Sequence, residues 1–289
     1  HGIGRRQRQM CIRDRGKYSF NFNQVSFNPP IDKNMSLDKR EFEIIIWGAS
    51  GFTGRLVAEY LFQKYNSKDL KWAIAGRDKD KLTSVRDIYL DKSISILIAD
   101  SFDELSLNKI TTRTKVICST VGPYSKYGSL IVKSCVESGT DYCDLAGESQ
   151  WIRKMIDFYH DKAESNQVKI VNSCGFDSIP SDMGVYFIYK DILKKDLQIS
   201  MRVAGAKGGY SGGTYASINN IISEASKNKE IRKDLINPYG LNPEGEKNGP
   251  DKRDLNSVIF DKKIKKWIAP FLMAGINTKI VRRSNALSN

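Results

Sequence analysis

Histidine is almost absent: only His1 and His160 occur in 289 residues. A histidine-based metal site or a Ser-His-Asp triad has little to draw on, and His160 is most simply a helix-surface residue. Cys11, Cys118, Cys135, Cys143 and Cys174 include no CxxC pair. An odd count with no framework suits a reducing, intracellular compartment rather than a disulfide scaffold. No apolar run reaches the length a membrane span requires, so the expected location is cytoplasmic or peripheral on a membrane or lipid surface. Positive charge, by contrast, is plentiful, with 46 Lys+Arg against 33 Asp+Glu and a formal net charge of +13. Part of that excess sits at Arg5, Arg6, Arg8, Arg13, Arg15, Lys17 and Lys33. The rest is spread thinly, without the basic and aromatic clusters of groove-binding proteins, so no nucleic-acid partner is indicated.

Residues 1–34 are expected to be a non-native or disordered leader. Met10–Asp14 resembles a translated sequencing adapter, Tyr18–Asn34 has no sustained periodicity, and Met35 would be a sensible start. An Arg-rich organelle-targeting segment is the competing reading. Beyond Met35, short apolar runs alternate with helix-period segments, the pattern of a parallel sheet covered by helices. The strand candidates are 43–47, 71–75, 93–99, 115–119, 141–145 and 168–172. The segment 149–166 carries Ile152, Met155, Ile156, Tyr159 and Ala163 on one helical stripe, and another helix is expected over 180–193. The fold class predicted is α/β, a doubly wound Rossmann-type sheet over 35–195, joined to a partial, mixed α/β substrate domain over 196–289. In that second region 197–206 reads as a strand, 205–213 as a glycine-rich loop and 214–226 as a helix.

The segment Gly48-Ala49-Ser50-Gly51-Phe52-Thr53-Gly54 follows the first strand and opens a helix. Strand, glycine turn and helix in that order aim backbone N–H groups and a positive helix terminus at one spot, which is how a dinucleotide pyrophosphate is held. Gly48 allows a sharp turn, Gly51 a close approach to phosphate, and Gly54 tight packing of helix on sheet. The second strand ends in Ala75-Gly76-Arg77. A small residue where NAD sites place an acid, then a guanidinium, favours NADP over NAD, with Asp78 left to cap the next helix. The fourth strand runs into Thr120, Val121, Gly122, Pro123 and Tyr124, on the side where ribose and nicotinamide would lie. Tyr124, Asp144 and Asp177, near the ends of successive strands, are the candidate proton donors, each with an alternative role in a turn or cap.

These motifs, together with Tyr142–Glu148 and Cys174–Asp182, resemble the saccharopine dehydrogenase-like oxidoreductases, relatives of bacterial trans-acting enoyl reductases. The likeness covers nearly everything after about residue 40. It implies a Rossmann domain for a nicotinamide cofactor, with Ser50–Thr53 at the pyrophosphate, Arg77 at the 2′-phosphate and Thr120–Pro123 on the nicotinamide side. Lys279–Arg283 is similar to the family's arginine-rich strand, after which members continue, so a C-terminally truncated member is expected. The activity implied is NADP-dependent hydride transfer to or from a carbonyl, imine or enoyl group, with a small-molecule or lipid-linked substrate. Two alternatives stay open: a saccharopine or amino-acid dehydrogenase, which should show arginines for substrate carboxylates, and a non-catalytic NADP-binding sensor or scaffold. The basic and apolar stretch 262–276 could touch a membrane surface, although a piece of substrate-domain core is the reading preferred for it.

Overall fold

The computed structural model describes residues 39–65, 69–193, 199–205, 209, 211–251 and 253–288. The expected leader 1–34 lies outside the described residues. Two compact units are present, one reaching Leu145 and adding Met155–Asn172, the other combining Ala146–Lys154 with the chain from Ser173 onward.

The first unit is built on six parallel strands: β1 (Phe42–Trp47), β2 (Trp72–Gly76), β3 (Ser95–Ile98), β4 (Thr114–Ser119), β5 (Asp141–Asp144) and β6 (Ile170–Val171), in the order β3-β2-β1-β4-β5-β6. The order reverses between β1 and β4, and ligands of open α/β sheets bind beyond the carboxyl ends of strands at such a point. All six strand candidates are present, with ends that differ from those expected by no more than two residues. The near-continuous apolar runs are explained by burial on both faces: Ile45, Ile46, Ala73, Ile74, Ala75 and Ile117 are fully buried.

Helices α1 (Phe52–Lys64) and α2 (Lys79–Tyr89) follow β1 and β2. Ala58 of α1 and Leu82 of α2 pack with Ile46, Ala49, Trp72, Ile74 and Ile94 in one core cluster. The unit also contains α3 (Glu104–Thr111), the short α4 (Tyr124–Tyr127) and α5 (Ser129–Ser138). Helix α6 (Ser149–Ser165) contributes to both units. Its predicted stripe is the inward one, with Ile152, Met155 and Ala163 buried. His160 is buried too, contrary to the surface position expected of it, because it lies four residues past Ile156 and seven past the buried Arg153, on the inward side of the helix.

The second unit holds α7 (Ile179–Phe187) with a π-helical extension Ile188–Leu193, then α8 (Gly212–Lys227), α9 (Lys229–Ile236), an antiparallel hairpin of β7 (Ile259–Asp261) and β8 (Lys266–Ile268), and α10 (Ala274–Ala286). Two expectations are corrected. Residues 199–205 form no strand although Ile199, Met201 and Val203 alternate, since alternation yields a strand only where a ladder partner exists, and none is present among the described residues. Lys279–Arg283 lies inside helix α10 rather than in a strand. Ile276, Ile280 and Arg283 are buried at helical spacing, and the Lys279 ammonium bonds the Leu235 carbonyl at 2.7 Å. Three cations in a five-residue piece mask that period, which only the longer segment reveals.

Candidate functional site

Helix α1 starts one residue beyond Gly51, and no side chain caps it. Its first-turn amides therefore face outward without an intrahelical acceptor, with the positive end of the helix dipole behind them. The turn that delivers them is fixed by backbone bonds: Gly48 N–H donates to Ala75 O at 2.8 Å, Ala49 N–H to the same oxygen at 3.3 Å, and Gly51 N–H to Gly48 O at 2.9 Å. Thr120 anchors the turn from β4, its N–H donating to Trp47 O at 2.9 Å and its hydroxyl to Trp47 O at 3.1 Å and Gly48 O at 3.3 Å.

The glycines have separate reasons. Gly48 adopts φ +91°, and a Cβ there would lie 2.5 Å from Val121 Cγ2. At Gly54 a Cβ would lie 2.2 Å from Gly48 O and 2.7 Å from Thr120 Oγ1, so helix and turn are in backbone contact. At Gly51 the nearest atom is Gly48 O at 3.3 Å; the protein itself nearly tolerates a side chain there, and the space is on the phosphate-facing side of the turn. An uncapped helix terminus and a cradle that a Cβ would fill fit a dinucleotide pyrophosphate.

At the end of β2, Ala75 is buried and Arg77 is exposed, forming no ion pair with the described residues. The nearby acid is occupied otherwise: Asp78 caps α2, accepting from Lys81 N–H at 3.0 Å. That bond is the main cause holding its carboxyl below the usual range. A free guanidinium and no available acid is the arrangement that a 2′-phosphate requires.

Thr120, Val121, Gly122 and Pro123 line the exit of β4, with a cis bond between Gly122 and Pro123, and Tyr124 opens α4. Thus Gly48–Gly54, Arg77, Thr120–Pro123, Tyr124 and Asp144 all lie at carboxyl ends of the neighbouring strands β2, β1, β4 and β5 in one unit. Two of the proton-donor candidates hold structural bonds there. The buried Tyr124 hydroxyl donates to Ser119 O at 3.1 Å and accepts from Leu145 N–H at 3.4 Å. The buried Asp144 carboxylate accepts from Tyr142 Oη at 3.0 Å and Asn172 Nδ2 at 2.8 Å. Burial first, then the Asp144 charge, pushes the Tyr142 phenol well up, so Tyr142 remains a donor. Removing the carboxylate takes one acceptor from each of two buried donors: Asp144→Ala is expected to lower unfolding free energy in urea by roughly 2–4 kcal/mol. Alternation along β5 could have flagged Tyr142 as inward; Asn172 carries no such signal.

Asp177 belongs to the second unit, is exposed, and its carbonyl accepts from Asn277 Nδ2 at 2.7 Å. Asn277 also donates to Ser181 Oγ and accepts from Ser178 Oγ at 2.8 Å. Ser178 therefore occupies the N-cap position of α7 without capping it through its side chain. Asp182 follows in the first turn of α7, where burial raises its carboxyl despite a bond with Ser284. A raised folded value means that the folded state keeps the proton longer, so this group's contribution worsens as pH rises from the unfolded through the folded pKa. Asp182→Asn should raise the melting temperature at neutral pH and lose that advantage in acid, read from thermal melts across pH.

Residues 44–171 match the family model described as saccharopine dehydrogenase NADP binding domain. A Mycobacterium tuberculosis protein provisionally described as a trans-acting enoyl reductase is 39% identical over 265 residues, covering 88% of this chain and 63% of its own. The trans-acting enoyl reductase of Mycobacterium leprae is 34% identical over 269 residues, covering 88% of this chain and 64% of that protein. The chain thus spans less than two thirds of the length of these relatives. Among solved structures, apo histidine-tagged saccharopine dehydrogenase (L-Glu forming) from Saccharomyces cerevisiae is similar at TM-score 0.43 and 20% identity, covering 51% of this chain and 30% of that one. The Rossmann assignment rests on the observed strand order.

Proposed function

With a segment that matches a saccharopine dehydrogenase-type NADP-binding domain, and with similarity to trans-acting enoyl reductases over most of its length, as the premise, we propose that the chain is the cofactor-binding portion of an NADP-dependent oxidoreductase. The substrate group proposed is an activated double bond, an enoyl group ahead of a carbonyl or imine, on a lipid-linked molecule. The observation that carries the reading is the uncapped, glycine-cradled terminus of α1, with Arg77 at the end of the neighbouring strand β2, exposed and without an ion pair among the described residues. Residues 35–195 are proposed to bind the cofactor and 196–289 to contribute to the substrate side.

The bound nicotinamide would supply a hydride. This chain's residues would do the binding and orienting. Amides of Ser50–Thr53 hold the pyrophosphate, Gly48, Ala49 and Gly54 shape its cradle, Arg77 takes the 2′-phosphate, and Thr120–Pro123 flank the nicotinamide. Because Tyr124 and Asp144 hold structural bonds, the proton that balances hydride transfer is assigned to water rather than to them.

An amino-acid dehydrogenase is less well supported. It needs guanidinium groups for substrate carboxylates, but Arg202 is paired with Asp261 at 2.7 Å, Arg282 with Asp251 at 2.8 Å, and the buried Arg283 bonds the Leu241 carbonyl. The test is single-turnover oxidation of bound NADPH with enone, imine and enoyl-lipid substrates. Oxidation by the enoyl compound is expected. Tight NADPH binding without oxidation by any of the three would favour the sensor.

A further inference from the structure

The hairpin β7–β8 is finished in a way that neither the cofactor site nor the proposed reaction requires. Phe260 and Trp267 are cross-strand partners and meet edge-on, with ring centroids 5.6 Å apart and planes at 70°. Val258 lies two residues before Phe260, just ahead of β7. That pair is left to solvent, Trp267 72% and Phe260 48% exposed, as is Val258 at 61%. An aromatic pair of this size is ordinarily buried in a core or an interface.

Around the turn stand Lys262, Lys263, Lys265 and Lys266, all exposed and none ion-paired with the described residues, with Ile264 exposed between them. The acid of the hairpin, Asp261, is neutralised by Arg202 at 2.7 Å. Its strand partner Lys266 therefore keeps its charge available. The element thus carries four positive charges at its tip and an amphipathic tryptophan on its apolar face.

We propose that this hairpin docks the protein on an anionic lipid surface, with Trp267 and Phe260 at headgroup depth and the four lysines against lipid phosphates. Tryptophan favours the membrane–water boundary, where its ring is apolar on one side and wet on the other. Lysine stems lie along apolar surface while their ammonium groups reach the headgroups. All four cations are lysine, a point charge suited to a diffuse negative surface. A fixed carboxylate or phosphate on a protein partner favours the planar fork of arginine. No helix among the described residues is long and apolar enough to cross a membrane, so the contact is peripheral. The inference goes beyond the oxidoreductase reading and does not depend on it.

Vesicles of phosphatidylcholine, alone and mixed with phosphatidylglycerol, test the proposal with the full chain. Cosedimentation is expected with the mixed vesicles only, and should fall as salt rises. The other tryptophans, Trp47, Trp72 and Trp151, are buried, so a blue shift in emission on binding reports Trp267. Trp267→Phe should abolish that shift. Lys262→Gln with Lys263→Gln should weaken partitioning roughly thirtyfold, at about 1 kcal/mol per lysine, with circular dichroism and NADPH binding unchanged. The proposal is overturned if the folded protein ignores anionic vesicles, if the lysine pair makes no difference, or if light scattering shows that Trp267 mediates self-association without vesicle binding.

Discussion

Gly54→Ala is expected to destabilise the first unit by about 3 kcal/mol or more and to abolish NADPH binding. The added methyl would sit 2.2 Å from Gly48 O and 2.7 Å from Gly48 C, backbone atoms that cannot swing aside as a side chain can. Relief requires α1 to lift off the end of β1, and the methyl also lies 2.7 Å from Thr120 Oγ1, the hydroxyl that bonds Trp47 O and Gly48 O. Gly51→Ala is the informative contrast. Its methyl meets only Gly48 O, at 3.3 Å, so stability should fall little while NADPH affinity falls about tenfold or more, because the methyl occupies the approach to the pyrophosphate. Urea melts and fluorescence titrations of both variants separate the two roles. Equal losses of stability would show that Gly51 serves only the fold.

Arg77→Ala should weaken NADPH roughly ten- to hundredfold and leave NADH nearly unchanged. A charge-assisted bond to a phosphate contributes about 1.5–3 kcal/mol, and only the 2′-phosphate distinguishes the two cofactors. Arg77 is exposed and has no ion pair among the described residues, so stability should hold. Arg77→Lys should recover part of the affinity, since lysine keeps the charge but not the planar pair of donors. If Arg77→Ala weakened NADH equally, the guanidinium would be contacting something common to both cofactors.

The sheet was legible because each strand is an apolar run bounded by turn residues, and burial on both faces needs no finer pattern. The glycine turn was legible for a different reason: at Gly48 and Gly54 the backbone geometry excludes other residues, so the residue type reports the contact. Arg77 was placed by chain position, at the end of a strand whose partner strand carries the turn. The second region resisted. Ile199, Met201 and Val203 alternate like a strand, yet pairing is decided by a partner remote in sequence. Helix α10 hid its period behind Lys279 and Arg283, whose buried charges are made tolerable by the carbonyls of Leu235 and Leu241, acceptors more than forty residues away that no local pattern shows. Tyr124 and Asp144 lie at strand ends, which is all that makes them proton-donor candidates in the sequence. Their commitment to Ser119, Tyr142 and Asn172 depends on side-chain directions that appear only in three dimensions.

Equilibrium titration of the protein with NADPH and with NADH, followed by cofactor fluorescence, tests most directly whether this chain presents an NADP site. Saturable binding with NADPH preferred by about tenfold or more is predicted from the exposed Arg77 and the cap role of Asp78. Equal or tighter binding of NADH, or no binding of either, would contradict it.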